Sequence, residues 1–149
     1  MLPGYNAPDA GQGIDVGISA HHGAGIQDAV AAHFHVILCD GVQVPHYNYV
    51  GDSILGYKSH MGAGSLTSNI KSDQTPVVIR NGDQSMETGL IKVGAMVGDH
   101  VEVGCNSVLN PGTVIGSHTN VYPLSSVRGY VPENSIYKSR DAVVKKRTE

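Results

Sequence analysis

The stretch that decides the fold runs from residue 97 to residue 131 and reads VGDHVEVGCNSVLNPGTVIGSHTNVYPLSSVRGYV. An aliphatic residue recurs in it at every sixth position, at Val97, Val103, Leu109, Ile115, Val121 and Val127. A small or β-branched residue stands four places after each of these, at Val101, Ser107, Thr113, Thr119, Ser125 and Val131. Because the faces of a helix repeat every 3.6 residues, a spacing of six drifts out of phase with them. A strict hexad is typical of a solenoid with three flat faces and eighteen residues per coil.

Each position of the hexad has an expected place in such a coil. The aliphatic residue points into a narrow prism, and the small residue packs inward where space is limited. The position after the aliphatic residue is often Gly or Asn, as at Gly98, Gly104 and Asn110. We expect these residues to form tight corners, where a positive φ costs them little.

The hexad pattern extends to both sides of this stretch. An earlier run comprises Leu38, Val44, Val50, Leu55 and Met61, with a slip of one residue near Ile54. Between the two runs, residues 67–92 break the pattern and contain an apolar segment that leads into an Asn-Gly turn signal at residues 81–82. The sequence therefore predicts a β-helix over residues 36–137, with a protruding loop at 67–92 that carries a hairpin. Residues 138–149 form a basic C-terminal tail, which we expect to be a solvated end.

Residues 1–35 have a different character. They contain three Asp and no Lys or Arg, so the whole net charge of −3 lies there, and they hold four of the eight His. The histidines suggest a metal-binding tract as one alternative. We favour a poorly ordered, atypical segment, and we hypothesise that it arises from a mis-started or rearranged reading frame.

Composition limits the class of function. A chain of 149 residues has room for one domain, and 19 Gly with one Phe and no Trp favours short strands and tight turns over helices. The small negative charge predicts no nucleic-acid partner, and no apolar run is long enough for a membrane span. Cys39 and Cys105 form no metal or redox motif, which favours reduced thiols and a cytoplasmic location.

Three blocks of sequence carry a family resemblance: residues 46–52 (HYNYVGD), 61–69 (MGAGSLTSN) and 97–104 (VGDHVEVG). They resemble the hexapeptide-repeat acyltransferases, whose fold is an all-β, left-handed parallel β-helix. The resemblance is closest to the acetyltransferase domain of the bifunctional glucosamine-1-phosphate acetyltransferase / N-acetylglucosamine-1-phosphate uridyltransferase. Single-domain UDP-N-acetylglucosamine pyrophosphorylase-related proteins are similar over residues 43–137. The handedness is implied by the resemblance and not by the periodicity.

The resemblance implies an acyl-coenzyme A-dependent N-acyltransferase that acts on an amino sugar phosphate in nucleotide-sugar or cell-envelope precursor metabolism. Acetyl-coenzyme A would be the co-substrate, and the family assembles as homotrimers with a site shared between subunits. A non-catalytic alternative is a trimerising or regulatory β-helix left over from a larger enzyme. Nucleotidyltransferase activity is not expected from this chain alone, because no Gly-rich phosphate-binding loop opens a βαβ unit.

The same resemblance implies roles for six residues. His46 would be the general base, Tyr49, Asn69 and His60 would contact the sugar phosphate, and Ala63 and Cys105 would contact acyl-coenzyme A. The family usually has Gly where Pro45 stands, Asn at His60 and Ser at Cys105. Each of four residues also has a purely structural alternative. His46 could be a surface histidine at a corner, Tyr49 a residue of the solenoid wall, Asn69 the end of a coil and Cys105 a small wall residue.

A metal site is a further possibility to weigh, because some proteins of this fold bind zinc through histidines and hydrate carbon dioxide. His100 and His118 are eighteen residues apart, so we expect them to stack on adjacent coils. A catalytic zinc usually has three protein ligands, and no pair of histidines five apart is present to help supply them. The sequence therefore predicts no metal.

Overall fold

The computed structural model describes residues 35–147, and within that range every regular element is a β-strand. The chain winds as a left-handed parallel β-helix in which each coil passes through three sheets in turn, here named A, B and C. Neighbouring coils pair in parallel register, so equivalent residues form columns along the prism. The predicted fold class is confirmed. No helix in this range is long and apolar enough to span a membrane.

The strands are short, and most span two residues. Sheet A contains β1 (Ile37–Leu38), β3 (Ile54–Leu55), β8 (Met96–Val97), β11 (Val114–Ile115) and β14 (Tyr130–Val131). Sheet B contains β4 (His60–Met61), β9 (Glu102–Val103), β12 (Asn120–Val121), β15 (Ser135–Ser139) and β16 (Ala142–Lys145). Sheet C contains β2 (Tyr49–Val50), β5 (Leu66–Thr67), β10 (Val108–Leu109) and β13 (Ser126–Val127).

The core is the interior of the prism. All six hexad aliphatics from Val97 to Val127 are buried, and none is more than 4% exposed. The six small residues that follow them at the fourth place are buried as well. Serine and threonine are tolerated there because their hydroxyls bond the backbone: the hydroxyl of Thr113 donates to the carbonyl of Asn110 at 2.7 Å. The inward placement predicted for both hexad positions is confirmed.

The corners use glycine differently from the prediction. The positive φ values lie two residues further on, at His100 (54°), Asn106 (54°), His118 (59°) and Leu124 (60°). The hexad glycines are needed for close approach instead: a β-carbon on Gly98 would lie 2.7 Å from the backbone nitrogen of Ser117 on the next coil. The expectation of a positive φ at Gly98 and Gly104 was therefore wrong, because the tight contact there is between coils and not within the turn.

The interruption forms an antiparallel hairpin of β6 (Val78–Asn81) and β7 (Gln84–Glu87), joined by a two-residue turn with Gly82 at φ 57°. It leaves the prism at the corner between sheets C and A and lies back along that corner. Val77 at its base is buried, and a β-carbon on Gly112 would lie 2.8 Å from the Val77 side chain. The loop therefore covers one corner of the later coils.

The two ends of the solenoid differ. At the C-terminal end the chain does not run out as a solvated tail: β16 folds back antiparallel onto β15 and extends sheet B. In the first coil, Leu38, Val42, Val44 and Val50 are only partly buried. The predictions made for residues 1–34, and for the last two residues of the tail, lie outside the described residues.

Candidate active site

One corner of the prism carries three of the predicted site residues in a single column. The register of sheet C aligns Tyr49 with Leu66 and Leu66 with Val108. The residues three places before these are His46, Ala63 and Cys105, so they occupy equivalent positions on successive coils at the corner between sheets B and C. Backbone bonds join the coils here, since Gly64 N donates to His46 O and Asn106 N donates to Ala63 O, both at 2.9 Å. The predicted base and the two predicted acyl-coenzyme A contacts therefore line one edge.

The turn that presents His46 is fastened to the next coil by Asn48. Its amide nitrogen donates to the carbonyls of Gly62 (2.7 Å) and Ser65 (3.1 Å) and to the Ser65 hydroxyl (3.0 Å). Its side-chain oxygen accepts from the His46 backbone nitrogen at 3.0 Å. The His46 residue itself is exposed. Asn48 therefore fixes the backbone of the base while the imidazole faces solvent.

An open groove runs beside this corner. Its lining includes His60, Gly62, Glu102, Cys105, Asn120 and Tyr122. Gly62 and Gly104 contribute no side chain to it, and neither can gain one, because a β-carbon on Gly62 would lie 2.6 Å from the carbonyl oxygen of Val103. The groove thus keeps an unobstructed floor between a polar wall on sheet B and the corner column.

His60 lies on the outer face of sheet B, directly opposite Glu102 on the neighbouring strand. Its Nδ1 is 2.8 Å from Glu102 Oε2, which makes a hydrogen-bonded ion pair when the imidazole is protonated. The side chains are 32% and 54% exposed, so the pair remains open to the groove. His60 is therefore held in one orientation at the wall of the groove.

The other two predicted site residues meet at a different corner, between sheets C and A. Asn69 Nδ2 donates to Asp52 Oδ2 at 2.5 Å. A β-carbon on Gly51 would clash with the Tyr49 hydroxyl and lie 2.8 Å from Asn69 Nδ2, so all of these groups surround Gly51. Tyr49 also belongs to the outward-facing column of sheet C, where it is aligned with Leu66, as the structural alternative for this residue predicts.

Within one chain the candidate residues therefore form two groups. His46, Ala63 and Cys105 share the B–C corner, with His60 on the adjoining wall, whereas Tyr49 and Asn69 share the C–A corner. Sheet C lies between the groups. Any ligand that touches both must reach across this face or use a second copy of the chain.

Sequence reasoning missed Asn48, Asp52 and Glu102. A signal for Glu102 was present, because His60 and Glu102 each stand one place before a hexad aliphatic, Met61 and Val103. Equivalent hexad positions fall in one column, whatever the length of the loop between them. Asn48 carried no such signal, since the equivalent position on later coils is Ser65 or Ser107.

The two corner histidines stack as predicted. The rings of His100 and His118 are 4.9 Å apart and 12° from parallel, and Tyr57 meets His100 edge-on at 5.4 Å. Between residues 35 and 147 no group of three His, Cys, Asp or Glu side chains is placed to hold a metal ion. Both cysteines are free thiols.

Comparisons with known proteins identify relatives by sequence. The chain is 32% identical over 102 residues to a bifunctional sugar-1-phosphate nucleotidylyltransferase/acetyltransferase of Sulfurisphaera tokodaii, covering 68% of the chain and 25% of that protein. It is 30% identical over 112 residues to the bifunctional protein GlmU of Methanococcus maripaludis, covering 74% and 27%. The chain thus spans about a quarter of the length of the curated relatives it matches. No family model matches it.

Solved structures give more distant likenesses. The polysialic acid O-acetyltransferase OatWY has a TM-score of 0.48 at 13% identity, with 74% of this chain and 57% of that chain covered. A hexapeptide-repeat acetyltransferase of Vibrio cholerae, solved with acetyl coenzyme A, has a TM-score of 0.45 at 15% identity, with 72% and 70% covered. These likenesses are too distant to assign a role to any residue.

Proposed function

Because the chain belongs to the hexapeptide-repeat acyltransferase family, we propose that it is an acyl-coenzyme A-dependent N-acyltransferase whose acceptor is an amino sugar phosphate. The observation that carries the proposal is the column at the B–C corner. It sets His46 in register with Ala63 and Cys105, beside a groove whose glycine floor leaves space for an extended ligand.

The proposed reaction needs one proton acceptor and two bound substrates. The acceptor amine attacks the thioester carbonyl, the carbon–sulfur bond breaks, and coenzyme A leaves as its thiol. His46 takes the proton that the amine loses, as an imidazole base suits this task. Holding the two substrates together supplies much of the remaining rate, so no covalent enzyme intermediate is required. Ala63 and Cys105 contact the acyl donor in this scheme.

We extend the proposal to a homotrimer with sites between subunits. Two observations support it. The outward column of sheet A is apolar along its whole length, and consists of Ile37, Ile54, Met96, Val114 and Tyr130. The two groups of candidate residues lie at opposite edges of sheet C, and residues from a second copy of the chain could complete a site around either group. Sheet B has an outward column that is polar at His60, Glu102 and Asn120 and continues to Ile136, and this face would stay open to the groove.

The test is a thiol-release assay with acetyl-coenzyme A against a panel of amino sugar phosphates, with the corresponding hydroxyl sugars as controls. We expect thiol release that depends on the amine, and light scattering that gives three times the mass of the chain. A stable monomer would remove the shared site.

If neither an acyl donor nor any sugar phosphate binds, the non-catalytic trimerising β-helix is the better description. The observation that favours this second function is the half-buried first coil, which carries both His46 and Tyr49. We also place the protein in the cytoplasm, a proposal that the free thiols of Cys39 and Cys105 support.

A further inference from the structure

We propose that His60 and Glu102 together form a subsite that accepts hydrogen bonds from the amine end of the ligand and disfavours its phosphate. The inference rests on the proposed function and deepens it, because it names which end of an amino sugar phosphate this wall of the groove receives.

The geometry fixes the direction of the hydrogen bonds. An ionised carboxylate only accepts, so the proton in the 2.8 Å contact belongs to His60 Nδ1. In the neutral imidazole, Nε2 is then left with a lone pair and no proton. The second oxygen of Glu102 is also an acceptor. With a neutral imidazole the pair therefore offers acceptors to the groove, and a ligand group that bonds them must carry N–H or O–H.

The charges around the pair favour a cation over an anion. With a neutral imidazole the pair bears the single negative charge of Glu102, and its neighbours in the same column, Gln43 and Asn120, are uncharged. An ammonium group is attracted to this point, whereas a phosphate is repelled by it.

One lysine, Lys58, stands two residues before His60 with its Nζ 5.1 Å over the Tyr57 ring, and another lies further toward the C-terminal end of sheet B. Lys138 Nζ stands 5.8 Å over the ring of Tyr122, which is one coil beyond Glu102. The acceptors and the negative charge of the pair thus line the groove itself, whereas neither lysine is part of its lining. A ligand that carries both an amine and a phosphate is expected to turn its amine toward the pair.

The His60–Glu102 pair differs in its hydrogen bonding from an asparagine, the residue that the resembling family usually has at position 60. An asparagine at position 60 both donates and accepts through its amide. The carboxylate-bound imidazole accepts in its neutral form and holds one orientation. We therefore expect the preference for an amine over a hydroxyl group in the ligand to depend on Glu102, because Glu102 orients His60 and supplies the negative charge of the pair.

The experiment measures binding, so it does not require turnover. Glucosamine 1-phosphate and glucose 1-phosphate differ only in the amine, and their affinities for the full chain are compared by titration calorimetry. We expect the wild-type protein to prefer the amine, and Glu102→Gln and His60→Asn to reduce that preference by roughly tenfold. The control is Glu133→Gln, which removes an exposed carboxylate at the corner between sheets A and B and leaves the preference unchanged.

A second readout follows the imidazole itself. The nitrogen-15 chemical shifts of His60 should report the tautomer with the proton on Nδ1 in the wild-type protein, and Glu102→Gln should abolish this bias. An unchanged preference in both variants, or no binding of either sugar by the wild type, overturns the proposal. Intact preference without thiol release would contradict the proposed acyl transfer and leave the subsite standing.

Discussion

The coils between Val97 and Val131 and the first coil, which starts at β1, are built from the same hexad but bury it to different extents. Leu109 in the regular coils is 0% exposed, whereas the inward residues Leu38, Val44 and Val50 of the first coil remain partly buried. The cause is the geometry of a solenoid, in which each inward side chain is covered by the coils on both of its sides. Within the described residues, the first coil has a neighbour on one side alone.

Stability and the proposed function therefore depend on different coils. The regular coils hold the core, and the less protected first coil presents His46 and Tyr49. The candidate base thus depends on a segment whose own packing is weak, and on bonds to the second coil such as those of Asn48. The consequences can be tested by placing the same change in both regions.

The largest expected effect is that of a charge in the prism. Leu109→Asp places a carboxylate among apolar side chains with no partner, and we expect it to lower the free energy of unfolding by at least about 4 kcal/mol or to prevent folding. Leu38→Asp is the matched change in the first coil, where solvent remains within reach, and we expect a loss of about 1 to 2 kcal/mol. Thermal unfolding followed by circular dichroism measures both. Equal losses at the two positions would contradict the comparison.

A smaller effect should come from the asparagines that fasten one coil to the next. Asn48→Ala removes three hydrogen bonds to the second coil, and Asn110→Ala removes two between later coils, to the Ser126 hydroxyl and the Val127 carbonyl. Each should cost about 1 to 3 kcal/mol of stability.

Only Asn48→Ala should also lower acyl transfer, because it releases the turn that carries His46. Chemical denaturation and the thiol-release assay, run on the same samples, separate the two effects. If Asn110→Ala reduced transfer as much as Asn48→Ala, the turn at His46 would have no special role.

The smallest effect concerns the opposite end of the solenoid. Tyr137 is buried there, its hydroxyl donates to the carbonyl of Ser126 at 3.0 Å, and burial raises its pKa above the ordinary value. A raised folded-state pKa means that the unfolded chain loses this proton first. The contribution of Tyr137 is therefore complete below a pH of about 10 and is lost as the pH rises through the folded-state pKa.

Tyr137→Phe should accordingly remove part of the alkaline loss of stability and cost about 1 kcal/mol at neutral pH through the missing hydrogen bond. Urea unfolding at neutral pH and above the ordinary tyrosine pKa tests this. A variant with the same alkaline loss as the wild type would show that another group is responsible.

Much of the fold could be predicted from the hexads, because a period of six fixes which residues point inward and which stack. The same logic predicted that His100 and His118 would stack. It did not locate the left-handed residues of the corners, since a non-glycine residue such as His100 or Leu124 adopts a positive φ there with no local signal. The pairing of β16 with β15 could not be predicted from the hexads either, because a polar, basic segment at a chain end more often remains solvated.

The columns of the candidate site could be predicted from the sequence, but the side-chain hydrogen bonds of its residues could not. The alignment of His46 with Ala63 and Cys105 follows from coil register. Coil register also aligns Glu102 with His60. The hydrogen bond between them, and the bond of Asn69 to Asp52, depend on side-chain directions that periodicity does not specify.

The most direct test of the central claim is the turnover rate of His46→Ala beside that of His118→Ala, a corner histidine away from the groove. The prediction is that His46→Ala lowers kcat by roughly a hundred- to ten-thousandfold while acyl-coenzyme A binding is unchanged. His118→Ala should match the wild type. A protein that transfers acyl groups equally well with and without the His46 imidazole would contradict the assignment of the base, and with it the proposal that the first coil carries the chemistry.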